Sequence, residues 1–478
     1  MPLVNIKKVL LDGQNNWSSQ TTIKFAGDDG FIGATERWTT FNPPTFVAAV
    51  SPATEEDVVK TIKLVRSHNI PFLATGGRHG YSPTLGKLQS GLALDLSQLN
   101  TISVDNNTDT LTIGGGTTLG QVFDPVYEAG YEMPSGTCSG PGVVGVTLGG
   151  GVGRFGGIYG LVADTLVSVR LVTANGEVVD VSETSHPDLF WAIRGAGANF
   201  GVVTSATYRL HKRKPGEGEL TNIDMIFPAE MSSAYFEAMA SFGIFPARLA
   251  SLSVTRYDPE RNQAQILANY VYLGPESEAR EVMKRILDLN PPVIKVTVVP
   301  WNKLLSVHGF GFDAVVNKKG IVRVIYSANI REFSGSTYYK AFQKMNAFYA
   351  AHPDGRNSVL EFEVFPNQAS AAVPNEKTAF PWRSAQAYML AFFSWTERGG
   401  KTEEFVKELG PELREDVVAT SGYSELQVIV PYAYGNETIE QIYGRNKLPR
   451  LAALKKAWDP DHVFSYLHPL PTKYPESS

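Results

Sequence analysis

The feature that most restricts this chain is the density of glycine between residues 114 and 160. Gly114-Gly115-Gly116 and Gly149-Gly150-Gly151 lack Cβ atoms, so the backbone there can approach a neighbour closely or adopt positive φ. Successive N–H groups in such loops can cradle an anionic group such as a pyrophosphate. The same glycines also suit tight packing between strands, and the tract alone does not choose between the two. Gly151-x-Gly153-x-x-Gly156 matches the dinucleotide fingerprint in form only. It lies among other glycines, and no long amphipathic helix begins there.

Around this tract the periodicity predicts an orderly succession of elements. Residues 1–45 read as irregular and polar. Pro52 and Thr54 open a helix, with Asp57 in the reciprocal capping position, Val58, Ile62 and Val65 at helical spacing, and Asn69 closing it. Ile70–Thr75 reads as a buried strand, followed by strands at Leu92–Leu96 and Leu111–Ile113. A hairpin follows, Leu166–Thr173 and Val178–Val181 around Asn175-Gly176, then a helix at Asp188–Arg194 and a strand at Phe200–Leu210. The charged segment KRKPGEGE at 212–219 marks an expected domain boundary. Beyond it, strands at Leu252–Arg256, Gln265–Tyr272, Ile321–Ile325, Val359–Phe365 and Ala387–Trp395 alternate with helices at Glu276–Leu289, Tyr338–Ala350 and Thr402–Gly410. That pattern predicts an antiparallel sheet covered by helices. A last helix is expected at Leu448–Ala457.

Composition narrows the function classes. Of 478 residues, 43 are basic and 48 acidic, a net charge of −5 with no basic run, which speaks against nucleic-acid binding. One cysteine excludes intrachain disulfides and a zinc-binding Cys cluster, and the eight histidines never pair at helical spacing, so no metal site is expected. No apolar stretch is long enough for a membrane span, and no secretory leader is recognisable. These readings predict a cytoplasmic or otherwise intracellular protein, either monomer or homodimer.

Two residues carry reactive side chains beside glycine turns. His79 stands in Gly76-Gly77-Arg78-His79-Gly80, directly after the Ile70–Thr75 run. Cys138 stands in Gly136-Thr137-Cys138-Ser139-Gly140. Taken singly, the histidine reads as a satisfied or surface residue, and the thiol as an inert buried group.

Together with their surroundings they carry a resemblance. The segments FVAAVSPATEEDVVKTIKLVRSHNIPFLATGGRHGYSP and GLALDLSQLN cover 46–100. GTCSGPGVVGVTLGGGVGRFGGIYGLVADTLVSVRLVTANGEVVDVSE and DLFWAIRGAGANFGVVTSATYRL cover 136–210, and VPYAYGNE and LPRLAALKKAWDPDHVFS lie near the C-terminus. In these segments the chain resembles the berberine bridge enzyme-like flavoproteins of the vanillyl-alcohol oxidase superfamily, in their microbial and fungal form. The resemblance implies an α+β chain. Residues 1–213 would form a PCMH-type FAD-binding domain with its core at about 42–213. Residues 214–430 would form a substrate domain with a helix-covered antiparallel sheet, and 431–478 would return to the first domain.

The resemblance further implies FAD joined to His79 through the 8α-methyl and to Cys138 through C6. Gly76, Gly77, Arg78, Gly80, Gly114, Gly115, Gly142, Val143, Gly149 and Val203 are implied as cofactor contacts, with the loops at 76–80 and 114–116 on the pyrophosphate. The sequence departs from the family pattern at Val144 for a glycine, Val146 for a histidine and Pro431 for an asparagine. Val143 is expected beside the flavin, where a β-branched residue goes with oxygen access.

Val359–Phe365 alternates as a strand, which puts Glu361 and Glu363 on one face. By resemblance Glu361 matches the family's acidic base best, with Glu363 one register away and Tyr432 as an active-site tyrosine. Arg383 reads as structural. The function implied is a bicovalent FAD-dependent oxidase acting on a mid-size small molecule of secondary metabolism. Hydride would pass to flavin N5, and O2 would be reduced to H2O2. The alternatives are a dehydrogenase with another acceptor and a flavin-scaffolded non-redox cyclase.

Overall fold

The computed structural model describes residues 5–214 and 218–475. Three large sheets and one two-stranded sheet organise the described residues. The first has the order Thr22–Phe25, Phe46–Ser51, Gly91–Asp95, Phe72–Thr75, its outer pair antiparallel and the rest parallel. Helix Glu55–Ser67 lays Val58, Ile62 and Val65 onto Phe72, Leu92 and Leu94. Thr54 caps it by accepting from the Asp57 N–H. The reciprocal half of the expected cap is not formed. The Asp57 carboxylate turns away to Thr21 Oγ1 at 2.5 Å and the Ser18 N–H at 3.3 Å, tying the N-terminal segment to the helix. That segment is less irregular than its composition suggests: it holds Ile6–Leu10, Thr22–Phe25 and Phe31–Thr35, while residues 1–4 lie outside the described residues.

The second sheet is antiparallel throughout, in the order Ile102–Asp105, Thr110–Gly114, Val202–Arg209, Leu166–Val172, Val178–Ser182. Its buried face, with Leu111, Val169 and Ala206, packs on helices Leu119–Glu128 and Pro187–Ala196. The first of these helices is interrupted in sequence by Pro125 and flanked by glycines, so its periodicity is hard to read. At the start of the charged 212–219 segment, Lys212 and the preceding His211 pair with Tyr131–Glu132, and residues 215–217 lie outside the described residues.

The third sheet has seven antiparallel strands: Val293–Pro300, Glu219–Pro228, Gln263–Tyr272, Leu249–Asp258, Val359–Val364, Ala387–Phe393 and Val324–Ile330, in that order. Helices Ser232–Ala240, Gly335–Ala351 and Lys401–Val418 cover one face through Tyr235, Met239, Phe342, Met345, Val406 and Leu413. The other face meets Trp38, Phe380 and Ile429 through Leu252, Ile325 and Leu390.

Two expectations shift here, and a strand that carried no expectation appears. The strand expected at Ile321–Ile325 lies at Val324–Ile330, and Ile321 forms only an isolated bridge to Thr39. The helix expected at Glu276–Leu289 is two short helices broken at Met283. Glu219–Pro228 is a strand whose buried Thr221, Asn222 and Asp224 disguise it as loop.

After helix Leu448–Trp458 the chain returns to the first sheet, where Phe464 packs on Phe72. Among the described residues no helix is long and apolar enough to cross a membrane, and no group of three or more His, Cys, Asp or Glu side chains is placed to hold a metal ion.

Candidate active site

Strand Phe72–Thr75 ends in the loop Gly76–Gly80, which lines a cavity of about 400 Å³. The loop is packed too tightly for side chains at Gly77, where a Cβ would lie 2.4 Å from the Gly140 carbonyl oxygen. Arg78 takes a left-handed conformation, φ 59°, and its guanidinium is held by Asp95 at 2.6 Å. Ser51 and Ser97 hydroxyls steady the same carboxylate. The loop's carbonyls are tied back to protein: Arg78 O accepts from the Trp38 N–H and Gly80 O from the Arg37 guanidinium. Its N–H groups from Gly76 to Gly80 donate to no protein acceptor among the described residues. A run of free N–H groups beside a cavity is a cradle for an anion.

His79 lines the same cavity and stacks on Trp38, with ring centroids 5.4 Å apart. Burial, with Lys319, Arg323 and Arg37 nearby, pulls its imidazole down to about 4. The ring is therefore neutral at pH 7 and keeps a lone pair. Cys138 also lines the cavity. Its loop is clamped by the second half of the kinked helix Leu304–Val316 and the residue after it. Asp313 accepts from the Ser139 N–H at 2.8 Å and the Ser139 hydroxyl at 2.6 Å, and Asn317 accepts from the Gly140 N–H at 3.1 Å. Burial, then Asp313, Glu363 and Glu361, push the Cys138 thiol up.

Strand Val359–Val364 brings Glu361 and Glu363 to the cavity, both nearly buried. The Tyr432 hydroxyl donates to Glu363 Oε2 at 2.6 Å and the Thr137 hydroxyl to Glu363 Oε1 at 3.3 Å. Tyr432 is itself fixed by the Ser327 hydroxyl, which donates to its carbonyl at 2.7 Å. Glu361 makes no hydrogen bond among the described residues. Burial raises both acids. Glu363 reaches about 7, with Tyr432 and Arg154 pulling it back, and Glu361 goes higher because Glu363 adds to the burial. Burial and Glu363 hold the Tyr432 phenol well above its ordinary value.

The structure thus brings His79, Cys138, Glu361, Glu363 and Tyr432 to one cavity, along with Gly76, Gly77, Arg78, Gly80, Gly115, Gly142, Gly149 and Val203. Two expected contacts are not there. Gly114 lies behind the lining, where a Cβ would meet the Leu99 carbonyl oxygen at 2.1 Å, so its role is strand packing. Val143 is fully buried in the core, because helix Val143–Leu148 turns it inward, while Val144, Gly145 and Val146 face the cavity. Arg383 stands apart, paired with Asp164 at 2.8 Å, as suits a structural residue.

Sequence reasoning missed Trp38, Tyr81 and Val463–Leu467, which also line the cavity. It also missed Arg154, fully buried, whose guanidinium donates to His308 Nδ1 at 3.1 Å and leaves Nε and Nη1 without partners. A lone arginine in the glycine-rich Gly153–Gly157 stretch was the available signal.

Comparison with known proteins decides the family. The FAD binding domain model matches residues 47–182, and the berberine and berberine-like model matches 432–471. FAD-linked oxidoreductase fogF of Aspergillus ruber is 45% identical over 477 residues, covering 99% of this chain and 96% of that protein. The chain belongs to the berberine bridge enzyme-like FAD-linked oxidoreductases. FAD-linked oxidoreductase srdI of Neurospora crassa is 43% identical over 459 residues, covering 96% of the chain and 91% of that protein. Among solved structures, Physcomitrella patens BBE-like 1 aligns with a TM-score of 0.84 at 23% identity, over 95% and 98% of the two chains. The Acremonium strictum glucooligosaccharide oxidase, which carries a 6-S-cysteinyl, 8α-N1-histidyl FAD, aligns with a TM-score of 0.82 at 20% identity, over 95% and 98%.

FAD is thus the cofactor of this oxidoreductase, and the residues present fit it. The free N–H groups of 76–80 suit a pyrophosphate. At Gly145, on the cavity wall, a Cβ would meet nothing within 4 Å, so the glycine leaves open space for a flat ring system.

Proposed function

We propose that this protein is a bicovalent FAD-dependent oxidase of a mid-size small molecule of secondary metabolism, with O2 as electron acceptor and H2O2 as product. In this reading 1–213 hold FAD, 214–430 supply the substrate face, and 431–478 return to the cofactor. The observation that carries it is the convergence of His79, Cys138 and the Tyr432–Glu363 pair on one cavity. Bound FAD would supply a two-electron acceptor for the hydride of a substrate carbon.

The chain's own residues manage the proton. Ionised Glu363 draws the Tyr432 hydroxyl proton along their 2.6 Å bond, and the Tyr432 oxygen takes the proton of the substrate hydroxyl. Thr137 holds the other Glu363 oxygen in place. The buried Arg154 guanidinium favours ionisation of both acids and so offsets part of the desolvation of Glu363. Glu363, with Tyr432, rather than Glu361, is therefore the base the geometry favours.

Covalent attachment is supported by the neutral His79 imidazole and by the thiol of Cys138 on the same cavity wall. Acid precipitation should leave the yellow colour in the pellet. His79→Ala and Cys138→Ala should each retain one flavin bond by intact-mass measurement, and only the double variant should release FAD. Release from wild type would end the bicovalent reading. Stopped-flow reoxidation by O2 tests the acceptor, and a reduced flavin that persists in air would favour a dehydrogenase.

Val143 no longer supports oxygen access. Since it is packed in the core, Val143→Leu is expected to destabilise the fold by about 1–3 kcal/mol through overpacking while reoxidation by O2 is unchanged. Denaturant titration and stopped-flow on the same sample check both halves.

A further inference from the structure

We infer that Asn317 is a positioning residue for cofactor attachment: its side-chain oxygen holds the His79 ring, its nitrogen holds the Cys138 loop, and one amide so readies both residues for their bonds to FAD. The inference rests on the bicovalent reading and names what prepares that site.

The two attachment loops meet through backbone. A Cβ at Gly77 would lie 2.4 Å from the Gly140 carbonyl oxygen and 2.5 Å from the Gly142 nitrogen, so loops 76–80 and 138–142 are pressed together at this crossing. Asn317 reaches the crossing from the segment after the kinked helix. A Cβ on Gly140 would fall 2.4 Å from Asn317 Oδ1 and 2.5 Å from His79 Nε2, so both atoms converge on that glycine.

Neighbours fix which end of the amide faces the histidine. Asn317 Nδ2 donates to Ser139 Oγ and Asp313 Oδ1, both at 2.8 Å, and to the Asp313 carbonyl at 2.9 Å. A reversed amide would set its oxygen against the Asp313 carboxylate and carbonyl. Oδ1 therefore faces the Gly140 N–H, at 3.1 Å, and the His79 ring, with which it hydrogen-bonds. An amide oxygen only accepts, so the single N–H of the neutral imidazole is placed at Nε2 and the lone pair at Nδ1. Burial, with Lys319, Arg323 and Arg37, keeps the ring neutral against the pull of Asn317.

The nitrogen end acts on the residue directly after Cys138. The Ser139 hydroxyl accepts from Asn317 while donating to Asp313 Oδ2 at 2.6 Å. Asp313 and Asn317 stand one helical turn apart beyond the kink at His308–Gly311, and Asp224 anchors that kink by accepting from the Gly309 and Phe310 N–H groups. The clamp is thus tied to the third sheet and not to either loop it holds.

Each attachment exchanges a flavin C–H and a protein N–H or S–H for one new bond. His79 Nδ1 bonds C8α as the Nε2 proton leaves, and Cys138 Sγ bonds C6 as the thiol proton leaves. In each case the two electrons and two protons released pass through the flavin to O2, giving H2O2. The first bond needs one ring tautomer and the second one loop position, and Asn317 supplies both.

Cell-free synthesis in air with added FAD tests this, with intact mass after denaturation following the fraction of chains that keep the cofactor. Cys138→Ala reports the His79 bond alone, and His79→Ala reports the Cys138 bond alone. Asn317→Ala should slow attachment by about 10-fold in both backgrounds, as expected when a reacting group loses its alignment. Asn317→Asp keeps the accepting oxygen, loses the donating nitrogen and faces Asp313 with a like charge. It should leave the His79 bond near its original rate and slow the Cys138 bond by about 10-fold. A residue that merely supported the fold would slow both bonds alike in both variants. An original rate for either bond in Asn317→Ala overturns the inference, as does an Asn317→Asp chain that treats the two bonds alike. If denaturant unfolding shows that Asn317→Ala does not fold, the Asn317→Asp ranking alone decides. The bicovalent reading fails separately, if either single-bond background with Asn317 intact acquires no covalent FAD.

Discussion

Replacing Glu363 by Gln is expected to slow anaerobic flavin reduction by about 10²–10⁴-fold, the usual range for loss of a positioned base. The substitution keeps the shape and the hydrogen-bonding reach towards Tyr432 and Thr137 but removes the proton affinity. Tyr432→Phe should fall in the same range, because in the proposed scheme the Tyr432 oxygen relays the substrate proton to Glu363, to which its hydroxyl donates at 2.6 Å. The pair acts as one unit, so the double variant should be little worse than either single one. Glu361→Gln is expected to cost much less, since an amide still donates a hydrogen bond.

The pH profile carries a sign. In the proposed scheme the base works when Glu363 is ionised, and its folded value is raised to about 7, so the rate should fall as pH drops below about 7. Stability runs the other way. The folded state holds the Glu363 proton more tightly than the unfolded chain, so this group's favourable share is present below the ordinary carboxylate range and is lost as pH rises to about 7. Near wild-type rates for both Glu363→Gln and Tyr432→Phe would remove the proton scheme and reopen the non-redox alternative.

Much of this was legible because it rests on local pattern. The alternation of Val359–Val364 put both acids on one face before any tertiary contact was known. The Asn175-Gly176 hairpin and the helix after Thr54 follow from turn and cap chemistry. What escaped the sequence depends on distant partners. Val143 and Val144 are adjacent and chemically identical, and only the start of helix Val143–Leu148 decides which one faces the cavity. Asp57 carries the right spacing for a capping box, but the Thr21 hydroxyl, 36 residues earlier, competes for its carboxylate. The order of Glu361 and Glu363 as base could not be read either, since the difference lies in which one Tyr432 reaches from near the C-terminus. Buried Asn222 and Asp224 hid a strand because their partners, Asn269 and the Gly309 and Phe310 N–H groups, lie 45 to 86 residues away.

The largest stability effect is expected far from the acids, at Asp459. Lys455 and Asp459 are both fully buried, with Nζ and Oδ2 2.6 Å apart. Lys455 also donates to the Asn199 and Phe464 carbonyls, and Asp459 accepts from the Val463 and Phe464 N–H groups. Asp459→Ala leaves a buried ammonium without its counter-charge, which costs about 3–5 kcal/mol. Removing both charges with Lys455→Met and Asp459→Leu often restores stability at a buried pair. Here it should restore only part, because two backbone N–H groups would still lack acceptors. Those N–H groups belong to the start of Val463–Leu467, which forms one wall of the cavity. Denaturant unfolding measures the first effect. Limited proteolysis of the C-terminal segment measures the second, and Asp459→Ala should be cut there well before wild type. Equal cutting rates with a full loss of stability would show that the pair supports the core but does not hold the wall.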